Sequence, residues 1–134
     1  MTQSETIYFI NKKSNTNLIE HKYEFNSYDA YDSNYIVEIK NRRANHKDPF
    51  LEVNKTLINL KLAKNQNKQY LYVQQDDTGI YVFNISKLDL NSIYKRFYNV
   101  PETTDFGKNK RVDKEFWVLN KSLSTKLELC TKEN

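Results

Sequence analysis

The stretch that most constrains this chain is residues 28–43, Tyr-Asp-Ala-Tyr-Asp-Ser-Asn-Tyr-Ile-Val-Glu-Ile-Lys-Asn-Arg-Arg. Residues 35–40 are rich in aromatic and β-branched types, which predicts a strand. Side chains alternate along a strand, so Val37 and Ile39 face one way and Ile36, Glu38 and Lys40 the other. The first face is apolar and suits a core. The second places an acid and a base two residues apart, about 6.5 Å along the strand. Upstream, Asp32-Ser33-Asn34 is turn chemistry. A hairpin loop of two or four residues sets Asp29 opposite Glu38; a loop of three sets it opposite Val37, on the wrong face.

Two carboxylates gathered in this way suit a hard divalent cation such as Mg²⁺, which takes oxygen ligands and keeps several waters. Such a cation polarises a phosphoryl group and acidifies a bound water. A neighbouring lysine, Lys40, can orient that water or offset developing charge. The plainer alternative is a solvated hairpin face with an ordinary Glu–Lys pair. Against it stand the apolar run that carries the acid and base, the Arg42-Arg43 pair after it and a long helix beyond.

Asp29 followed by Glu38-Ile39-Lys40 at the end of an apolar strand resembles the PD-(D/E)XK nuclease superfamily. The expected order of elements (helix, hairpin carrying the acids, helix, strand) resembles its restriction-endonuclease-like core. Tyr-Asp-Ala-Tyr-Asp at 28–32, Glu-Ile-Lys-Asn-Arg at 38–42 and Pro-Glu-Thr-Thr-Asp-Phe at 101–106 are similar to small phage or viral members. Tyr28 departs from the pattern, standing where the superfamily's name has Pro. The resemblance implies a metal-dependent endonuclease in which Asp29 and Glu38 bind Mg²⁺ or Mn²⁺ and Lys40 assists the attacking water. It also implies a polar residue of the following helix, Lys55 or Glu52, at the edge of the site, and sometimes a first-helix glutamate, here Glu5.

The rest of the chain supplies the frame. At 134 residues it is expected to be a single domain, 1–134, with one core. Hydrophobic residues are only 38%, but ten Tyr and seven Phe supply large buried areas. No run is long and apolar enough to span a membrane, and the N-terminus lacks a signal-peptide pattern. The single cysteine, Cys130, allows no internal disulfide and fits a reducing, cytoplasmic setting. A net charge of +4 and a pI near 9.0 permit a nucleic-acid partner without demanding one.

In order, residues 4–11 read as a helix capped by Thr2 or Ser4, with Glu5 in its first turn where the dipole favours an acid. Residues 21–27 alternate as a half-exposed strand. His46 lies in a polar connector and has no second ligand at zinc spacing. Asp48-Pro49 reads as a helix start, with the helix running to about residue 65. Its expected apolar face is Phe50, Val53, Leu57 and Leu60, widened by Leu51, Ile58 and Leu62, with Glu52, Lys55 and Asn59 as a polar strip beside it. Residues 69–75 and 80–85 are two strands joined by an Asp76-Asp77-Thr78-Gly79 hairpin turn, which explains both acids without a metal. The Tyr and Phe of these strands read as sheet packing rather than a base-stacking platform. Asp89 reads as the cap of a short helix to about residue 98. Lys108, Lys110, Arg111 and Lys114 form the densest basic cluster, a solvated loop or a phosphate-contact arm. Residues 116–119 are a last strand or short helix, and the tail after Ser122 is expected to fray.

The fold expected is thus α/β, a mixed central sheet flanked by helices. The function expected is phosphodiester hydrolysis of nucleic acid, DNA before RNA, with Arg42 and Arg43 on phosphates. A homodimer is the simplest way to cut both strands of a duplex, with strands 69–75 and 80–85 offering an edge or face. The rival is a non-catalytic module that keeps the fold and binds nucleic acid or protein.

Overall fold

The computed structural model describes residues 1–22, 27–43, 48–102 and 110–127. The chain opens with helix α1 (Gln3–Lys13), fixed at its start by a capping box. The Thr2 hydroxyl accepts the Glu5 N–H at 3.1 Å, and the Thr2 N–H donates to Glu5 Oε1 at 3.0 Å. Strands β1 (Ile19–Glu20), β2 (Ala30–Tyr31) and β3 (Tyr35–Asn41) follow. Next come a short strand β4 (Phe50–Glu52), helix α2 (Val53–Asn65) and the hairpin of β5 (Gln69–Asp76) and β6 (Gly79–Asn84). The long hairpin of β7 (Lys95–Pro101) and β8 (Arg111–Val118) precedes a last strand, β9 (Thr125–Leu127).

Among the described residues these strands make two sheets. The larger has the order β1-β2-β3-β5-β6-β9, in which β3 and β5 run parallel and the other pairs antiparallel. A parallel pair needs a long crossover, and α2 lies within it. The smaller sheet has the order β4-β8-β7. The mixed α/β architecture expected from the sequence is therefore present.

Both faces of the large sheet are buried. On one, Val37, Ile39, Leu71, Val73 and Ile80 pack with Ile7 and Ile10 of α1. On the other, Ile36, Tyr70, Tyr72 and Phe83 pack with Val53 and Ala63 of α2 and with Leu51 and Trp117 of the small sheet. So the face that carries Glu38 is not a solvated hairpin surface; it is half of a two-sided core.

Several expectations are corrected. The helix after Pro49 does not begin there. Phe50–Glu52 is a strand, because it pairs antiparallel with Phe116–Val118, and this partner overrides the local Asp-Pro start signal. The buried face of α2 is also rotated. Val53, Thr56, Asn59 and Ala63 are buried, whereas Leu57 and Ile58 are 51% and 57% exposed. The helix after Asp89 is one 3₁₀ turn, Leu90–Ser92, and residues 95–101 form β7 because they pair along their length with β8. The tail does not fray directly after Ser122, since β9 pairs with Ile80–Val82 of β6. Strands β5 and β6 are interior in the sheet and their aromatic side chains are buried, so neither offers an edge or face for self-association. His21 and Lys22 lie outside any strand. The remainder of the strand expected at 21–27 falls mostly on residues 23–26, which, like His46, Lys108 and Cys130, lie outside the described residues. No described helix is long and apolar enough to cross a membrane.

Candidate active site

The β2–β3 hairpin sets the register of the site. Tyr31 pairs with Ile36 and Ala30 with Val37, which leaves a four-residue loop, 32–35. One step outward, Asp29 therefore stands across from Glu38. Its N–H donates to the Val37 carbonyl at 2.8 Å, and its carboxylate Oδ2 accepts the Ile39 N–H at 2.7 Å. The turn is held by Asp32, whose Oδ1 accepts the N–H groups of Asn34 and Tyr35 and whose Oδ2 accepts that of Asn17. Asp32 thus serves the turn, as its place in Asp32-Ser33-Asn34 leads one to expect.

Glu38 is 4% exposed. Lys55 Nζ donates to its Oε1 at 3.1 Å, and Lys40 Nζ lies 3.5 Å from the same oxygen. Among the described residues nothing is bonded to Oε2. Burial, with the Asp29 charge adding to it, pushes the Glu38 carboxyl above its usual range, while Lys55 and Lys40 pull it down. The Tyr70 and Tyr72 phenols beside it are pushed up chiefly by burial.

These groups border a cavity of about 300 Å³ between the large sheet, α2 and the small sheet. Glu38, Lys40, Arg42, Glu52, Lys55 and Thr56 form its polar lining. Asp29 is not in the lining; it stands beside Glu38 on the next strand. The rotated face of α2 explains the polar floor: Lys55, Thr56 and Asn59 look inward where an apolar stripe would have closed the space. Asn59 anchors the helix by donating to the Ser27 carbonyl at 3.0 Å.

Two carboxylates on paired strands, one buried and raised by the other, are a donor set that fits a hard divalent cation, since such a charge would relieve their repulsion. Among the described residues no group of three or more His, Cys, Asp and Glu is assembled for a metal.

The other sequence candidates divide. Glu52 lines the cavity and lies 3.6 Å from Lys114. Arg43 borders a separate polar cavity of about 490 Å³, shared with Arg42. Glu5 is spent in the α1 capping box, whose Thr2 N–H holds its carboxyl below the usual range. Of the basic cluster, Lys110, Arg111 and Lys114 are engaged within the described residues. Arg111 donates to the Asn99 side chain and carbonyl, both at 2.8 Å, and Lys110 lies 3.6 Å from Glu102. Asp76 and Asp77 play the turn role expected of them at the β5–β6 hairpin, with Asp76 Oδ1 accepting the Thr78 N–H at 2.8 Å.

Sequence reasoning missed the cavity's apolar wall, Phe50, Val100 and Phe116. The signal was the alternation in Phe50-Leu51-Glu52, in which Leu51 alone is buried, but the preceding Asp-Pro masked it. No family model, no curated protein and no solved structure matches this chain.

Proposed function

We propose that this chain is a metal-dependent nuclease that hydrolyses phosphodiester bonds of nucleic acid, DNA before RNA, on a restriction-endonuclease-like core. The observation that carries the proposal is the four-residue hairpin that sets Asp29 beside a buried Glu38, with two lysines on the same Glu38 oxygen. The order α1, β1–β3, α2, β5, with β3 and β5 parallel, supports the same core.

Asp29 and Glu38 would hold Mg²⁺ or Mn²⁺, which when bound supplies Lewis-acid polarisation and an acidified water. Lys40, 41% exposed at its side chain, faces the cavity where it can hold a proton or orient a water next to the phosphate. Lys55 balances the Glu38 charge and is placed to meet a phosphate oxygen. Arg42 presents a planar donor set for another phosphate oxygen at the cavity mouth. Cutting both strands of a duplex would call for a symmetric pair of chains, assembled through surfaces other than β5 and β6.

The test is cleavage of single- and double-stranded DNA and RNA in Mn²⁺. Asp29→Ala and Glu38→Ala are expected to abolish cleavage with the fold retained by circular dichroism. Full metal-dependent activity in either variant overturns the assignment.

A second function is favoured by one specific observation. Lys55 and Lys40 already neutralise Glu38, and Asp29 already accepts a backbone N–H. A non-catalytic nucleic-acid-binding module would keep such a self-contained cluster. Calorimetry with Mn²⁺ separates the two: only the nuclease requires the carboxylate pair to take up the ion.

A further inference from the structure

The small sheet has two unlike faces, and its register shows which residues share them. Glu52 pairs with Phe116, which pairs with Arg96; Tyr98 pairs with Lys114. Paired residues lie on one face, and every second residue along a strand joins them. Phe50, Phe116, Tyr98, Arg96 and Lys114 therefore share a face, while Leu51 and Trp117 point from the other into the core. On the shared face the three rings form one cluster. Phe50 and Tyr98 have centroids 4.7 Å apart at 32°, and Phe116 lies 5.7 Å from Tyr98 and 6.5 Å from Phe50. The Arg96 guanidinium lies 5.1 Å from the Tyr98 centroid.

Aromatic clusters of this kind are usually buried. Here Phe50 is 47% exposed, and Phe50 and Phe116 line the same cavity as Glu38, Lys40 and Lys55. One part of the lining is thus aromatic, with Glu52 beside the rings, and another is cationic around an acid. That combination matches the two ends of a nucleotide, a π-faced base and an anionic phosphate. The volume, about 300 Å³, is at the lower end of small-ligand pockets and holds one nucleotide-sized unit. A paired base keeps both faces covered by its neighbours in a helix, so it has none to offer the rings.

We infer that Phe50 and Phe116, braced by Tyr98 against both, receive the base of an unpaired nucleotide whose phosphate lies at Lys40, Lys55 and Arg42, so that the substrate is single-stranded nucleic acid. This names the substrate form for the nuclease proposed above and rests on that assignment for its phosphate side. The base side stands on the ring cluster alone.

The test uses the full chain in EDTA, where cleavage does not interfere. The probes are a short oligothymidylate, a blunt duplex of equal length, and a single strand containing 2-aminopurine, whose fluorescence is quenched on stacking. Expected are tighter binding of the single strand than of the duplex, and quenching of 2-aminopurine. Phe50→Leu should lower single-strand affinity by about tenfold and abolish the quenching, with duplex affinity changed less than about twofold. Phe50→Trp should retain both signals, and Tyr98→Leu should repeat the loss if Phe50→Leu disturbs the fold. Equal affinity for the two probes, equal loss on both in Phe50→Leu, or unquenched 2-aminopurine overturns the inference. A chain that passes this test but cuts nothing in Mn²⁺ keeps the base site and loses the nuclease assignment. One that cuts duplex and fails this test does the reverse.

Discussion

At Glu38 opposing effects meet within one side chain. Burial and the Asp29 charge disfavour ionisation, Lys55 and Lys40 favour it, and the balance leaves the carboxyl above its ordinary value of 4.5. A carboxyl raised in the folded state binds its proton more tightly there than in the unfolded chain. Its contribution to stability is therefore full below pH 4.5 and is lost as pH rises through the folded value. Glu38→Gln, which cannot ionise, should melt higher than the parent at pH 7 in EDTA, and the difference should vanish at low pH. Thermal unfolding across pH checks this, and a lower melting temperature for Glu38→Gln at pH 7 would contradict it. The two lysines should also differ. Lys40→Ala should lose turnover and keep Mn²⁺ binding, because the lysine is not a ligand, and Lys40→Arg should not rescue it. Calorimetry beside a cleavage assay decides this, and loss of Mn²⁺ binding in Lys40→Ala counts against the role. At this scale the sequence was legible. Strand alternation placed Glu38 and Lys40 together, and an even-length loop was enough to bring Asp29 across. It did not reveal how buried Glu38 is, because the residues that share its cavity, Leu51 of β4 and Tyr70 and Tyr72 of β5, come from two other strands whose packing leaves no local trace.

Among the elements, α2 and β4 show where local pattern yields to tertiary pairing. Phe50, Leu51, Val53, Leu57 and Leu60 make a credible helical stripe, yet the first two belong to a strand and Leu57 is exposed. The polar residues expected beside the stripe lie deeper: Lys55 lines the cavity and Asn59 anchors the helix to the Ser27 carbonyl. The strip expected at 52, 55 and 59 is divided: Glu52 belongs to β4, Lys55 lines the cavity and Asn59 is fully buried. The basic cluster at 108–114 is likewise visible as composition, but the partners of Arg111 and Lys110, Asn99 and Glu102, are not, because only the pairing of β7 with β8 brings them across. Those partners change the expected electrostatics. Arg111 and Lys110 are engaged within the hairpin, so Lys110→Ser with Arg111→Ser should leave the log–log salt dependence of single-strand binding nearly unchanged. Arg42→Ser or Lys55→Ser should each flatten it by about 0.7, the value for one phosphate contact on a single strand. Anisotropy titrations at several salt concentrations distinguish the two sets, and a flattened slope in the Lys110/Arg111 variant would return the hairpin to the role of phosphate arm.

Over the whole molecule, the large sheet is the scaffold and the small sheet supplies the second wall of the site. The chain's last described strand joins this scaffold by pairing with β6, and a buried ion pair at the end of β5 ties down the segment just before it. Asp76 is fully buried, and Lys121 Nζ donates to its Oδ2 at 2.8 Å just before β9. Lys121 also lies 4.2 Å from the Tyr81 ring centroid. Gly79, at φ 149°, lets the adjoining hairpin pass close to β9, where a Cβ would come within 2.9 Å of Lys126 Cε. Burial alone would raise the Asp76 carboxyl. The Lys121 bond, the Thr78 hydroxyl and N–H, and the Lys121 charge outweigh it and hold it at about 2. A depressed carboxyl stabilises the fold fully above its unfolded value of 3.8, and that stability is lost as pH falls through about 2. Removing the lysine strands a buried charge, so Lys121→Ala should destabilise the chain by about 3 kcal/mol at neutral pH. The double variant Lys121→Ala with Asp76→Asn should recover part of the loss, because the uncompensated charge is gone. Denaturant unfolding of both variants at pH 7, repeated towards pH 2, measures the effect. A Lys121→Ala chain as stable as the parent at pH 7, or a double variant less stable than the single one, would show that the pair does not hold this end of the sheet.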